Sequence, residues 1–173
     1  NLSAKVITLE DAVDVCRGVP GQGGDSLTCD VLALVLGEPD RHPTQNASSG
    51  LEVVEIQASG SPVRVHSVAA GLEVRAGRLG YELQTRRILL DGEDSVSIYA
   101  SGVELEAKSV DYTPGENNTI GSLMAIGPGW IRAIDEKQPA IESHWQKWLR
   151  IRPDDVGHVA SLSGQAEVSV DLQ

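Results

Sequence analysis

The sequence contains a strand-sized unit that recurs, and this repetition limits the chain to stacked architectures. The segments Leu72–Tyr81 and Val103–Tyr112 align without a gap at an offset of 103 − 72 = 31 residues. Glutamate, alanine and tyrosine are identical at the second, fifth and tenth positions, and apolar residues match at the first, third and eighth. Because apolar and polar residues alternate, each copy predicts a strand with one buried face. Repeated units of this kind bury their apolar faces on neighbouring copies.

Further copies extend the pattern along the chain. An earlier copy has Leu27, Cys29, Leu32 and Leu34 in the places of Val74, Ala76, Leu79 and Tyr81. Each copy is followed by an aliphatic residue, a glycine four positions on, and then an apolar alternation. The instances are Ile88, Gly92, Val96 and Ile98; Ile56, Gly60, Val63 and Val65; Leu123, Gly127 and Trp130; and, incompletely, Gly164, Val168 and Val170. Gly60, Gly92, Gly127 and the Ser101-Gly102 pair are expected to supply the breaks and positive-φ positions that tight turns need. Short alternating runs separated by such turns predict an all-β fold.

The composition agrees with thin β layers. Aromatic residues make up only 3% of the 173 residues and phenylalanine is absent, so Val, Leu, Ile and Ala must fill the core. The best helix candidate is 141–149, where Ile141, Trp145 and Leu149 have helical spacing, but the surrounding strands favour a strand near Trp145–Ile151. We predict a single domain over residues 1–173, with insertion loops at 38–50 and 113–119.

The charge argues against several classes of partner. Lys and Arg number 14 and Asp and Glu number 25, which gives a net charge of −11. Binding to nucleic acid or to an anionic membrane surface needs a basic face, so we expect neither. The local basic cluster consists of Arg75, Arg78, Arg86 and Arg87. These arginines either meet phosphate or carboxylate groups, or are solvated positions that balance nearby acids; the second interpretation is favoured.

The two cysteines leave two alternatives open. Cys16 and Cys29 lie in alternating stretches on either side of the glycine-rich turn Gly18–Gly24. Two antiparallel strands joined by that turn would bring the thiols together as a disulfide, which suits an oxidising compartment. Two buried free thiols are equally compatible with the sequence. No histidine lies nearby to suggest a metal site.

No group of residues predicts catalysis. His42, His66, His144 and His158 are scattered, and none has a partner at metal-ligand spacing. His66 falls on the polar side of a strand, so we expect it to be exposed. No nucleophile elbow or phosphate-binding loop is present in the sequence. We therefore expect a protein that is not an enzyme, with no catalytic residues, metal or cofactor.

The repeat resembles a known one. From Val74 to Tyr112 the order is apolar-x-Ala-x-x-Leu-x-Tyr, a turn, Ile-x-Leu-x-Gly-x-x-x-Val-x-Ile, and then Gly-x-x-Leu-x-Ala-x-x-Val-x-Tyr. This resembles the OstA-like repeat of the periplasmic proteins of lipopolysaccharide transport and of the N-terminal domains of their outer-membrane partners. The resemblance is best over Leu51–Ala133 and weaker over Asp11–Leu36 and Trp145–Leu172. The two insertion loops and the strong acidity depart from the family.

The resemblance implies an open, V-shaped, jelly-roll-like stack of antiparallel strands built from repeats. It implies an apolar groove that holds the acyl chains of a lipid or lipopolysaccharide-like amphiphile. It also implies edge-to-edge assembly with other OstA-like domains or with itself, in the periplasm or another extracytoplasmic part of the envelope. The groove residues that it implies are Val74, Ala76, Leu79, Tyr81, Ile88, Leu90, Val96, Ile98, Leu105, Ala107, Val110 and Tyr112. The alternative is a structural or adhesive β-repeat module without a lipid ligand.

Overall fold

The computed structural model describes residues 5–18, 24–37, 51–115, 121–135 and 138–170, and over these ranges the chain is all-β without a helix. The strands are β1 (Lys5–Arg17), β2 (Asp25–Gly37), β3 (Glu52–Ser67), β4 (Leu72–Glu82), β5 (Arg87–Ala100), β6 (Val103–Thr113), β7 (Ser122–Ile126), β8 (Gly129–Asp135), β9 (Gln138–Trp145), β10 (Trp148–Asp154), β11 (Gly157–Ser163) and β12 (Glu167–Val170). They form one open antiparallel sheet, which confirms the predicted fold class. The predicted loop 38–50 and residues 116–119 of the predicted loop 113–119 lie outside the described residues.

The first six strands form a meander, and the sheet then divides. One half of β6 pairs with β7 and the other half pairs with β8. Beyond this point β7 continues to β10 and β11, while β8 continues to β9 and β12. Because β7 and β8, β9 and β10, and β11 and β12 follow each other closely along the chain, each pair is one long strand interrupted at its middle. The sheet is therefore nine long strands wide.

Every long strand is interrupted along a common line, which we call the bend. The pairings of β1 to β6 shift register at this line, for example between Ser59 and Val63 and between Asp91 and Val96. The predicted glycines Gly60, Gly92 and Gly127 lie at these interruptions. Gly127 has a φ of 88°, a conformation that glycine adopts without strain. The recurring glycines thus mark bends within the strands as well as turns between them.

The bend divides the sheet into two wings. The first wing contains residues 5–10, 31–37, 52–59, 78–82, 87–91 and 109–113 together with β7, β10 and β11. The second wing contains residues 13–17, 25–28, 63–67, 72–76, 96–100 and 103–107 together with β8, β9 and β12.

The 31-residue repeat corresponds to a step of two strands across the sheet. Leu79 of β4 and Val110 of β6 occupy equivalent places in the two copies, and both pair with Leu90 of the intervening strand. The whole row of directly opposed residues is apolar: Leu9, Leu32, Ala58, Leu79, Leu90, Val110, Ala125, Leu149 and Leu162. Equivalent residues of the repeat therefore lie in the same row on one face of the sheet, two strands apart.

The core lies where the two wings meet near the bend. Its main cluster joins Val110 and Leu149 of the first wing to Val96 and Trp145 of the second, and all four are almost completely buried. A smaller cluster surrounds Cys29. Since one sheet face cannot cover itself to this degree, the wings must pack on each other. Residues 141–145 belong to β9 and residues 148–149 to β10, with a bend at 146–147, so the preference for strand over helix in this region is confirmed.

The cysteines are free thiols in the structure, Cys16 exposed and Cys29 buried. Cys29 is opposite Val13 in the β1–β2 pairing, three residues away from Cys16. Three residues along a strand span about 10 Å, which is too far for a disulfide. The structure therefore follows the free-thiol alternative, with one of the two thiols exposed instead of buried.

Candidate functional site

The twelve predicted groove residues share the inner face of the sheet, which is the face that each wing turns toward the other. Strand register sets them in rows of directly opposed side chains. One row contains Leu79, Leu90 and Val110, a second Tyr81, Ile88 and Tyr112, and a third Val74, Ile98 and Leu105. The remaining three, Ala76, Val96 and Ala107, lie in the second wing next to the bend. The residues that the resemblance assigned to the groove therefore form one continuous surface.

Burial of this inner face decreases with distance from the bend. Val96 is 0% exposed and Val110 is 2% exposed. Farther from the bend, Ile88, Ile98 and Tyr112 are only partly buried against the same cluster. This gradient means that the wings pack closely at the bend and leave apolar side chains accessible toward their rims. It is the arrangement expected of a V-shaped section.

The inner rows extend beyond the predicted residues in both directions. In the first wing, the row through Tyr81 and Tyr112 continues to Ile7 in β1 and to Ala160 in β11. In the second wing, the row through Val74 runs from Val15 to Val168 and is interrupted by one polar residue, the buried Ser143. Ile56 and Leu123 are among the added members; the repeat includes each as the aliphatic residue four positions before a glycine, but neither was among the predicted groove residues.

Both ends of the sheet present unpaired strands. Within the described residues β1 pairs only with β2, and its apolar side chains Val6, Ile7, Leu9 and Val15 are exposed. At the other end, among the described strands, β11 pairs only with β10 and β12 only with β9. Val168 and Val170 of β12 are exposed. Unpaired N–H and C=O groups beside exposed apolar residues are a template for pairing with another strand.

Ion pairs account for part of the predicted basic cluster on the outer face. Arg78 donates to Asp91 over 2.9 Å. Arg87 donates twice to Asp111, over 2.9 and 2.7 Å. This hydrogen bonding raises the pKa of Arg87 and lowers the pKa of Asp111, although partial burial of Asp111 acts in the opposite direction. The interpretation that these arginines balance nearby acids is confirmed for Arg78 and Arg87.

The outer face also carries concave regions. One cavity of about 610 Å³ lies in the first wing, around Gly80 and Leu89. Another of about 610 Å³, which we call the bend cavity, lies beside the bend where β6, β8 and β9 meet. It is lined by Glu106, Lys108, Trp130, His144 and Gln146, among others. Outward-facing residues make up most of both linings, but inner-face residues also contribute: Ala58, Leu79, Leu90 and Val110 in the first cavity and the core residue Trp145 in the bend cavity.

The described residues offer little for metal or covalent chemistry. Within them no group of three His, Cys, Asp or Glu side chains could hold a metal ion. His66 is exposed, as expected, and lies 3.7 Å from Glu73. Burial, together with the nearby Asp30 carboxylate, raises the pKa of the Cys29 thiol, which disfavours the reactive thiolate. No helix in the described part of the chain is long and apolar enough to cross a membrane.

Comparison with known proteins adds no relative: no family model, curated protein or solved structure matches the chain.

Proposed function

We propose that the chain is a non-enzymatic envelope domain that holds the acyl chains of a lipopolysaccharide-like amphiphile between its two wings. The observation that carries this proposal is the set of apolar rows that cross the inner face from β1 to β11 and β12. Such rows provide a continuous strip for a long hydrocarbon chain, whose burial is worth about 0.8 kcal/mol per methylene group. The resemblance of Val74–Tyr112 to the OstA-like repeat supports the same function and an extracytoplasmic location.

The inner face is partly exposed toward its rims, which supports binding of an acyl chain there while the core at the bend stays packed. Ile88, Ile98 and Tyr112 contact the buried cluster on one side and remain accessible on the other. An acyl chain lying along these residues would cover apolar area that is now in water. Because the chain has a net charge of −11, it repels an anionic headgroup. The apolar contacts with the acyl chain must therefore supply the affinity.

The test is displacement of a fluorescent fatty acid, cis-parinaric acid, from the purified chain by lipopolysaccharide. Ile88→Asn places an amide on the inner face and should weaken probe binding by about tenfold, which corresponds to about 1.4 kcal/mol. Leu89→Asn is the matched control, because Leu89 is the next residue in β5 and faces outward. Circular dichroism and urea denaturation verify that both variants fold. Absence of probe binding to the wild type would disprove the lipid function.

We further propose that copies associate through their edges. Since β1 and the pair β11–β12 run from the first wing to the second in the same direction, a head-to-tail stack would pair them in parallel. Such a stack would continue the inner rows, with Ile7 and Leu9 beside Ala160 and Leu162 of the next copy. Leu9→Lys should shift light scattering toward the monomer. Thr8→Lys adds the same charge on the opposite face of β1 and should have a smaller effect.

Displacement of cis-parinaric acid and light scattering together distinguish the lipid-binding proposal from a structural or adhesive module. A structural or adhesive module predicts concentration-dependent association of the wild type together with no binding of cis-parinaric acid. The exposed apolar side chains of β1 are the observation that favours this second candidate. Native mass spectrometry reports bound lipid and oligomer order in one spectrum, and would show which combination occurs.

A further inference from the structure

The bend cavity is a shallow, open concavity that gathers side chains from several strands. Its volume of about 610 Å³ is within the range of small-molecule sites. Glu106, Trp130 and His144 are directly opposed on β6, β8 and β9, so their side chains project together from the outer face. Neighbouring strands place such side chains about 5 Å apart. This spacing allows one ligand ring to contact all three.

The interruption of the strands at the bend creates the cavity. Glu93, Asp94 and Ser95 lie between Asp91 and Val96, where the β5–β6 pairing loses register, and they form one side of it. On the other side the chain leaves β7 at Gly127 and enters β8 at Gly129. Gly127 packs so closely that an added Cβ would be 2.8 Å from the Cβ of Lys108. The glycine-marked bend thereby opens the outer face between β5 and β9.

The polar groups of the cavity include both donors and acceptors. Glu93, Asp94 and Glu106 offer carboxylate oxygens, whereas Lys108 and the Gln146 amide can donate. His144 is held by a 2.7 Å hydrogen bond to Glu142. Three carboxylates against one ammonium disfavour an anionic ligand. A simple cation would use the acceptors alone, whereas hydroxyl groups both donate and accept and so use the whole set.

Two tryptophans complete the lining. Trp130 is half-buried, so part of its ring is accessible as an apolar platform. Trp145 is 1% exposed and also contributes to the lining, and its Nε1–H has no hydrogen-bond partner among the described residues. An unpaired buried donor destabilises the fold, because it has lost its hydrogen bonds to water and gained none in the protein. Because this nitrogen is enclosed by protein atoms, Trp130 provides the accessible aromatic surface of the bend cavity.

We propose that the bend cavity binds a sugar ring of a glycan. An uncharged pyranose has apolar C–H faces that pack on an aromatic platform and a rim of hydroxyls that match mixed donors and acceptors. Trp130 provides the platform, while Glu106 and Gln146 bind the hydroxyls. This site is on the outer face, and its occupation is independent of the lipid function proposed for the inner face.

The experiment screens the folded chain on an array of defined mono- and oligosaccharides and measures the best binder by calorimetry. Trp130→Ala and Glu106→Gln should each weaken binding by about tenfold or more. Trp148→Ala is the matched control, since Trp148 is in the first wing and pairs with Ile126 and Ser163. Glu106→Gln conserves shape, so it remains informative if loss of Trp130 disturbs folding.

The results that would overturn the proposal are specific. They are the absence of binding to every glycan on the array, equal binding by wild type, Trp130→Ala and Glu106→Gln, or saturable binding of tetramethylammonium with none of sugar. The cis-parinaric acid assay, run on the shape-conserving variant Glu106→Gln, separates this site from the inner face. Retained probe binding with lost glycan binding would support two independent sites, and loss of both would contradict them.

Discussion

At the scale of single residues, the outer face of the second wing carries an unusual pair of like charges. Arg64 and Arg75 are directly opposed on β3 and β4, and Thr28 and Ser97 flank them in the same row. Both arginines are exposed, and neither forms an ion pair with the residues that the structure describes. Like charges in directly opposed positions destabilise a strand pair.

Replacing one of these arginines should therefore stabilise the fold. Arg64→Glu converts the repulsive pair into an attractive one, and we expect the free energy of unfolding to rise by about 0.5–1 kcal/mol. Urea denaturation at low ionic strength measures the change, which should diminish as salt is added. Arg152→Glu makes the same charge change opposite Val159 and serves as the control. If both variants were equally stabilised, the cause would be the change in net charge and not the loss of repulsion between Arg64 and Arg75.

The Arg87–Asp111 pair predicts a pH dependence of stability. The hydrogen bonds from Arg87 lower the pKa of Asp111 in the folded state below its ordinary value of 3.8. A depressed carboxyl pKa contributes stability that is present above the unfolded-state pKa and is lost as the pH falls through the folded-state pKa. Asp111→Asn should thus lower the urea midpoint at neutral pH. The difference from wild type should disappear in acid, and a difference that stayed constant with pH would contradict this assignment.

At the scale of strands and turns, the sequence predicted the alternating strands and the glycine positions, but not the bends. Alternation with period two reports which face a residue occupies, and all twelve residues that the resemblance assigned to a groove lie on one face. The glycine at the end of each aliphatic run was expected to mark breaks and tight turns. In the structure Gly92 lies within the single long strand β5, at a shift in its pairing with β6. The sequence does not predict this shift, because register depends on partner strands that a local pattern does not specify.

The β5–β6 hairpin shows a turn that the sequence did specify. Ser101 and Gly102 have φ angles of 48° and 83°, as a two-residue hairpin turn of type I′ requires. A Cβ at Gly102 would lie 2.7 Å from the Ile134 carbonyl oxygen, and the Gly102 carbonyl accepts a hydrogen bond from Ile134 N–H. Both the positive φ and this close approach favour glycine here.

Gly102→Ala should therefore destabilise the protein by about 1–3 kcal/mol, from backbone strain and displacement of the Ile134 backbone. Thermal unfolding followed by circular dichroism measures the loss. Gly80→Ala is the matched control, since the nearest atom to an added Cβ there is the Leu89 Cβ at 3.8 Å, an ordinary contact. We expect Gly80→Ala to be neutral or slightly stabilising. If the two variants lost equal stability, the hairpin geometry could not be the cause.

At the scale of the whole molecule, the two candidate sites differ in how far they could be predicted. The inner face follows from alternation within each strand, so copies of one repeat were sufficient. The bend cavity unites Ser95, Glu106, Trp130 and His144, which are distant in sequence and become neighbours only through strand order and register. No local pattern relates these residues, and a single glutamate such as Glu106 does not stand out in a chain with 25 Asp and Glu residues.

The packing of one wing on the other predicts that the whole sheet unfolds cooperatively. Leu149 of the first wing and Trp145 of the second are both 1% exposed and belong to the same cluster. Leu149→Ala should cost about 2–5 kcal/mol, because it removes buried contacts and leaves a cavity. Leu89→Ala, at a position 39% exposed on the outer face, should cost much less. Tryptophan fluorescence and far-ultraviolet circular dichroism should report one coincident urea transition in each variant. Separate transitions in Leu149→Ala would mean that each wing is stable alone, and that the shared core contributes less than its burial indicates.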